Sequence, residues 1–373
     1  MENNKVKVLI ICNPLKYGGM DHVAISLQQN LDKEKFECVY CLTHDDEEGP
    51  LEEAVRQSGV RIIHMPTGRN IRFKCYKFLN NFFKQEHFDV VHSHLPFMSL
   101  YVFLAAKKNG VSKRIVHSHY SSQTIKLSKS KKIVAEIYRS IMRACISILA
   151  TDVIGCTQEA GIYVAGKRGF KKKGIVLNNG IDTSVYEYNE ETRNRKREEL
   201  GVDSQIVLGH VGQIYPIKNQ AFLIDIFYEY QKKHKNSLLL IVGDGPDKEK
   251  IVTKVKCLGI SDKVKFLGFR DDVPELLMAM DCMVFPSISE GYPLTLIEAQ
   301  ATKLPCVVSD SVICSAKINE NFSFCSLNEN VAHWCNEIDG QMSKERFLVE
   351  NSDVAKLYDI KSVSKKLESI YLN

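Results

Sequence analysis

Apolar and polar positions along this chain alternate on two periods. In the first half, KVKVLIIC, FECVYCLT, VRIIHM, DVVHSH, RIVHSH, TDVIGCT and KGIVLNNG are short apolar runs of strand length. Between them, apolar residues at helical spacing predict helices over Met20–Asn30, Pro50–Ser58, Phe73–Glu86 and Leu100–Asn109, a basic helical region before TDVIGCT and a further helix after it. The pattern then restarts. QIVLGHVG, SLLLIVGDG, KVKFLGF, CMVFPS and LPCVVSD read as strands; QAFLIDIFYEYQKKH, KEKIVTKVKCLG, DVPELLMAM and Leu294–Thr302 read as the helices between them, and SVSKKLESIY as a last helix. Strands separated by helices imply βαβ units and mainly parallel sheets. The expected fold class is therefore α/β, with two doubly wound Rossmann-like domains, 1–182 and 183–355, and a C-terminal helix, 356–373, packing back toward the N-terminal domain. The polar stretch Asp182–Arg197 marks the boundary. Ligands of such sheets bind at the C-terminal ends of the strands, so the expected site is a cleft between the two domains.

Composition narrows the class. At 373 residues, 44% apolar and 25% charged, the chain has the makeup of an ordinary globular protein of two domains. No apolar run is long enough for a membrane span, and the N-terminal run reads as a buried strand and not a signal peptide. Twelve cysteines sit mostly in apolar runs, and the Cys38–Cys41 pair lies in a strand, where core thiols in a reducing cytoplasm are the expectation. Charge is uneven: residues 1–180 carry 27 Lys and Arg against 16 Asp and Glu, whereas residues 181–373 carry 23 against 29. A basic first half suggests an anionic partner: membrane lipid, a phosphorylated acceptor or nucleic acid. No nucleic-acid-binding motif accompanies the charge. KLSKSKKIVAEIYRSIMR, with Lys129, Lys131 and Lys132 beside Ile133, Val134, Ile137 and Ile141, suits an interfacial helix on anionic lipid, or a half-buried helix with a solvated basic face.

Candidate chemistry gathers at strand ends. Gly18-Gly19 follows the first strand, as a tight turn or an anion-binding helix start. Gly212 and Gln213, with Lys218 beyond, follow the first strand of the second domain, and Gly243 and Gly245 follow the next. Together these loops favour a phosphate-bearing ligand, although Lys218 taken alone reads first as a solvated surface lysine. Glu290 lies in the loop after CMVFPS, placed to accept hydrogen bonds from a sugar or to start a helix. Glu298 lies amid Leu296, Ile297 and Ala299, where an acid needs a partner; a pair of ribose hydroxyls is one. Gly291 allows a close backbone approach to phosphate. His92-Ser93-His94 and His117-Ser118-His119 each end a strand. HxH spacing suits a metal, but no nearby Asp, Glu or Cys completes a set, so no metal is expected. Asp271-Asp272 precedes a helix and reads as capping.

These residues resemble the retaining GT-B glycosyltransferases of family 4, common in bacterial capsule, exopolysaccharide and lipopolysaccharide synthesis. The most specific part is the E-x7-E run from Glu290 to Glu298 within PSISEGYPLTLIEAQATKLPCVVSD; the GGMD loop, DVVHSH, LNNGID, VGQIYPIKNQ, VGDGP and GFRDDVPELL extend the likeness over nearly the whole chain. The resemblance implies a GT-B fold and transfer of a hexose or N-acetylhexosamine from a nucleotide-sugar, expected to be UDP-linked, to a lipid-linked saccharide. It implies no metal or other cofactor, no nucleic acid, a monomer or weak dimer, and a cytoplasmic protein on the inner membrane face. His119, Glu290 and Lys218 would serve catalysis. Gly18, Gly19, Gly212, Gln213, Lys218, Gly243, Gly245, Glu290, Gly291, Tyr292, Pro293, Leu294 and Glu298 would hold the donor, with His94, Lys129, Lys131 and Lys132 on the acceptor and membrane side. Two positions depart from the family: Gln213 stands where an arginine is usual, and Asp21 where glutamate is frequent. A GT-B epimerase or phosphorylase, or a non-catalytic nucleotide-sugar-binding protein, are the alternatives.

Overall fold

Seven strands, β1 (Val6–Cys12), β2 (Phe36–Leu42), β3 (Arg61–His64), β4 (Val90–Ser93), β5 (Lys113–Ser118), β6 (Asp152–Gly155) and β7 (Gly174–Val176), form one parallel sheet in the order β3-β2-β1-β4-β5-β6-β7. The computed structural model describes residues 5–373 except 17, 45–47, 69, 121–128, 345 and 347–351; of residues 129–132 and 352 it describes only the backbone. Helices α1 (Gly19–Gln29), α2 (Glu52–Gln57), α3 (Ile71–Gln85), α4 (Ser99–Lys108), α5 (Lys129–Leu149) and α6 (Gln158–Lys173) connect the strands. One sheet face, with Leu9, Ile11, Val91, Val116 and Val153, packs on Leu79, Phe83, Val102, Phe103 and Ile146 of the helices. The other face is covered in part by α1, whose Ala24 carbonyl accepts the Tyr40 hydroxyl. Burial on both faces explains why the strands read as unbroken apolar runs.

The second sheet comprises β8 (Ile206–Val211), β9 (Ser237–Val242), β10 (Val264–Gly268), β11 (Cys282–Phe285), β12 (Cys306–Ser309) and β13 (Phe322–Cys325), all parallel in the order β10-β9-β8-β11-β12-β13. Its helices are α7 (Glu190–Leu200), α8 (Gln220–Lys233), α9 (Lys248–Cys257), α10 (Val273–Ala279), α11 (Leu294–Ala301), α12 (Val331–Met342) and α13 (Ser352–Tyr358), with α14 (Ile360–Leu372) closing the chain. Leu208, Ile241 and Val284 pack on Leu223, Phe227 and Trp334. Val207, Leu240, Met283 and Val308 pack on Leu276, Leu296 and Ala299.

The chain divides into two compact units. One comprises Met1–Gly180 with Ile360–Asn373, and the other Ile181–Asp359. Within the first, α14 lies against α1, and Glu368 accepts the Asp32 N–H at 2.7 Å. The polar stretch expected to be a boundary contains α7. Its arginines dock it: Arg193 reaches Asp281 at 2.5 Å and the carbonyls of Met278 and Met280, and Arg197 reaches the Ala279 carbonyl at 2.7 Å. Asp272 occupies the N-cap position of α10, but its side chain does not cap the helix. No side-chain cap bond forms at α10, and Asp272 instead pairs with Arg270 and with Lys196, which hold its carboxyl well below the usual range.

Strand order reverses at β1/β4 in one sheet and at β8/β11 in the other. These are the points where loops diverge to opposite faces and leave a crevice at the strand ends.

Candidate donor and acceptor sites

In the second unit, the loops after β8, β9 and β11 interlock at the strand ends. Gly212 donates to the Val242 carbonyl at 2.9 Å, and Ile214 to the Asp244 carbonyl at 2.9 Å. A side chain at Gly243 would meet the Gly212 carbonyl oxygen at 2.3 Å, and one at Gly245 the Ile214 oxygen at 2.4 Å. Gly243 also has φ +122°, so glycine is required there twice over. Past β8, the chain makes a short 3-10 turn, Pro216–Lys218, and Asn219 in the left-handed conformation turns it into α8. The Ile288 N–H donates to the Ile217 carbonyl at 2.8 Å, tying the Glu290 loop to that turn.

This arrangement brings Lys218 and Glu290 together from the two sides of the switch point. Lys218 Nζ lies 2.8 Å from Glu290 Oε1 and 5.1 Å from the centre of the Phe285 ring, with its stem beside Gly212. Both side chains are mostly buried, at 21% and 10% exposure, so the pair is not a solvated surface contact. Gln213 is exposed, and its carbonyl accepts from Gln220. Pro293 is the residue before α11 and not its first turn. Tyr292 stacks on Tyr358, bonds to its hydroxyl and donates to the Ser315 carbonyl, which fixes the loop between Glu290 and the helix.

Glu298 is partly buried on α11, and its hydrogen-bond partner is Tyr186. Burial raises its carboxyl from the ordinary 4.5 to about 7, against the opposing pull of the Tyr186 hydroxyl. Tyr186 was invisible as a site residue in the sequence; it lies in the polar run before α7, with no periodicity to mark its inward turn.

In the first unit, β4 and β5 lie side by side, so their two HSH ends meet. His92, His94, His117 and His119 are all buried and stacked, with neighbouring ring centres 4.1–5.3 Å apart. His94 is thus enclosed with its neighbours. Its Nδ1 lies 2.8 Å from His119 Nε2, and His119 Nδ1 lies 3.1 Å from Asn179 Oδ1. Burial lowers the His119 pKa to about 4, so its ring is neutral near pH 7. Across the two strands, His92, His94 and His117 each place a nitrogen within 4.8 Å of the others.

The Gly18–Gly19 loop is braced from within. Asp21 Oδ2 accepts the N–H groups of Lys16 at 3.1 Å and Gly18 at 3.2 Å, so those two amides already have an acceptor. Burial pushes the Asp21 carboxyl upward. Helix α5 turns Ile133, Val134, Ile137, Ile141 and Ile148 outward and buries Met142 and Ile146. Arg139 and Arg143 on it pair with Glu136. The side chains of Lys129, Lys131 and Lys132 and all of residues 126–128 lie outside the described residues. All twelve cysteines are free. Among the described residues, no helix is long and apolar enough to cross a membrane.

Two parallel doubly wound sheets, each with its own switch point, are the architecture of the GT-B fold. Residues 17–185 match the family described as Glycosyltransferase Family 4, and residues 192–353 that described as Glycosyl transferases group 1. The chain belongs to the family 4 glycosyltransferases and is an enzyme of that class. It is 27% identical to the putative glycosyltransferase EpsF of Bacillus subtilis over 91% of this chain and 88% of that one. It is 26% identical to the capsular polysaccharide biosynthesis glycosyltransferase CapH of Staphylococcus aureus, over 99% of both chains. A UDP-Gal:α-D-GlcNAc-diphosphoundecaprenol α-1,3-galactosyltransferase of Escherichia coli is 28% identical over 94% of this chain and 86% of its own. Among solved structures, Anabaena HepE in complex with UDP shares the fold, with a TM-score of 0.77, 17% identity and coverage of 98% and 99%.

Proposed function

We propose that this enzyme transfers a hexose or N-acetylhexosamine, with retention of configuration, from a UDP-sugar to a lipid-linked saccharide in surface polysaccharide synthesis. The observation that carries the reading is the Lys218–Glu290 pair at the β8/β11 switch point, framed by Gly212 and Gly243. A diphosphate arriving there competes with Glu290 for the Lys218 ammonium and frees the carboxylate for the sugar hydroxyls. Glu298, on the helix that follows, accepts hydrogen bonds from the ribose. Among the relatives, the E. coli enzyme is named for a UDP-Gal donor and a lipid-diphosphate acceptor, and CapH for capsule synthesis; both names support the choice of donor and acceptor class.

In this reading the positive charge of Lys218 stabilises the departing diphosphate, which is the main catalytic contribution. Gln213 withholds a second cation, so Lys218 carries more of that task. The leaving diphosphate assists the acceptor hydroxyl on the same face as the departing bond, and no divalent metal is needed at the phosphates. His119, neutral and held through both ring nitrogens by Asn179 and His94, borders the transferred sugar and the acceptor. The outward apolar stripe of α5, in the basic half of the chain, rests on the anionic inner face of the membrane and brings the enzyme to its lipid-linked acceptor.

The test is a panel of nucleotide-sugars assayed for binding and for nucleotide release with and without lipid-linked acceptor, using Glu290→Gln as control. Acceptor-dependent release of UDP that falls in the variant supports the reading. Equal turnover by the variant removes Glu290 from its role, and release or isomerisation without acceptor favours the epimerase class.

A further inference from the structure

Four buried imidazoles meet at the ends of β4 and β5, and hydrogen bonds account for only some of their nitrogens. His119 is fully engaged, with Nε2 on His94 Nδ1 and Nδ1 on Asn179. His94 therefore keeps Nε2 unengaged by that bond. His92 Nδ1 lies 2.7 Å from the hydroxyl of Tyr371 on α14, which leaves its Nε2 facing His117 Nδ1 at 3.2 Å. His117 Nε2 is buried and has no partner. With the ring proton of His117 on that Nε2 and the proton of His92 on the Nδ1 beside Tyr371, the His92 Nε2 and His117 Nδ1 lone pairs face each other across 3.2 Å, a pairing that a cation satisfies and a hydrogen bond does not.

We propose that His92, His94 and His117 bind one divalent transition-metal ion of borderline softness, with Zn2+ the type, in a structural site beside His119. Three neutral imidazoles are the ligand set such ions take, and nitrogen is preferred over the oxygen ligands that Mg2+ or Ca2+ require. The three nitrogens already lie within 4.8 Å of one another. The 3.2 Å between His92 Nε2 and His117 Nδ1 is close to the roughly 3.3 Å that separates two ligands on one tetrahedral zinc. Parallel strands hold the rings: His92 lies on β4, His94 follows directly past its end, and His117 stands on the adjoining β5. Outer groups orient two of them, Tyr371 on His92 and His119 on His94, as outer partners do for metal-bound histidines. Three protein ligands leave a fourth position for a solvent oxygen. The ion clamps β4 to β5 beneath α14, and this inference does not depend on the transfer reading.

Chelator-treated full-length protein titrated with Co2+ reports the site through the visible absorption of the nitrogen-ligated ion, and Zn2+ then displaces it. The expected result is one ion per chain, a thermal midpoint raised by Zn2+, and binding lost in His117→Ala. Tyr371→Phe keeps all three ligands and should weaken affinity by about 10–100-fold, which provides a readout if the histidine variant does not fold. His333→Ala, at an exposed histidine, should leave binding unchanged. Absence of stoichiometric binding, or binding that survives in both His117→Ala and Tyr371→Phe, overturns the proposal.

Discussion

Replacing Glu298 by glutamine separates what this carboxylate costs the fold from what it gives the donor. Its folded-state value of about 7 lies above the ordinary 4.5. A carboxyl shifted in that direction contributes stability while protonated and loses it as the pH rises through about 7. Between pH 4.5 and pH 8, the ionised form therefore costs up to about 3 kcal/mol. Glu298→Gln removes that cost, so the variant should resist urea better than the wild type at pH 8, and the two should converge near pH 5. Donor binding should move the other way. If ribose hydroxyls donate to the carboxylate, only the ionised form binds fully, and that form is about a tenth of the population at pH 6. UDP affinity of the wild type should then rise about 10-fold from pH 6 to pH 8. The variant loses charge-assisted hydrogen bonds of roughly 1.5–3 kcal/mol, so its affinity at pH 8 should fall about 10–100-fold. Calorimetric titration of UDP at both pH values measures this. Because UDP itself titrates identically in both experiments, the variant isolates the contribution of Glu298. Equal UDP affinity at pH 8, or the same pH dependence in the variant, would refute the assignment to the ribose.

Other outcomes follow from the same geometry. Lys218→Ala should lower kcat by about 10²–10³-fold, measured as acceptor-dependent UDP release, while a thermal scan shows a folded protein. Gly243→Ala should cost about 2–4 kcal/mol, read as a lowered denaturation midpoint, because the new methyl meets the Gly212 carbonyl oxygen at 2.3 Å in a left-handed backbone. The paired change Ile137→Asp and Ile141→Asp should abolish co-sedimentation with anionic vesicles and leave UDP affinity intact, since both residues are exposed on α5; unchanged vesicle binding would remove the membrane from the account.

The strands were legible because each sheet is buried on both faces, which writes them as apolar runs ending in glycine or histidine. The same regularity placed Lys218 and Glu290 at strand ends. What escaped the sequence is held by polar contacts or lies across the sheet. Helix α7 has almost no apolar face; its arginines bind Asp281 and the carbonyls that end α10, so hydrophobic periodicity passed over it. Strand β13 is four residues in a polar setting, and α12 buries chiefly Trp334, Cys335 and Ile338 among polar neighbours. The HxH spacing of each strand was plain, but their meeting depends on β4 pairing with β5, and the Tyr371 that orients His92 comes from the far end of the chain. Glu298 stood out as a misplaced acid, whereas its partner Tyr186 bore no mark.

The most direct test of the central claim is a crystal structure of the enzyme soaked with an intact UDP-sugar. The account predicts the diphosphate on Lys218 and the Gly212 loop, ribose hydroxyls within about 3.2 Å of Glu298, and the sugar on Glu290 released from its lysine. A nucleotide bound elsewhere, with the Lys218–Glu290 pair intact, would contradict it.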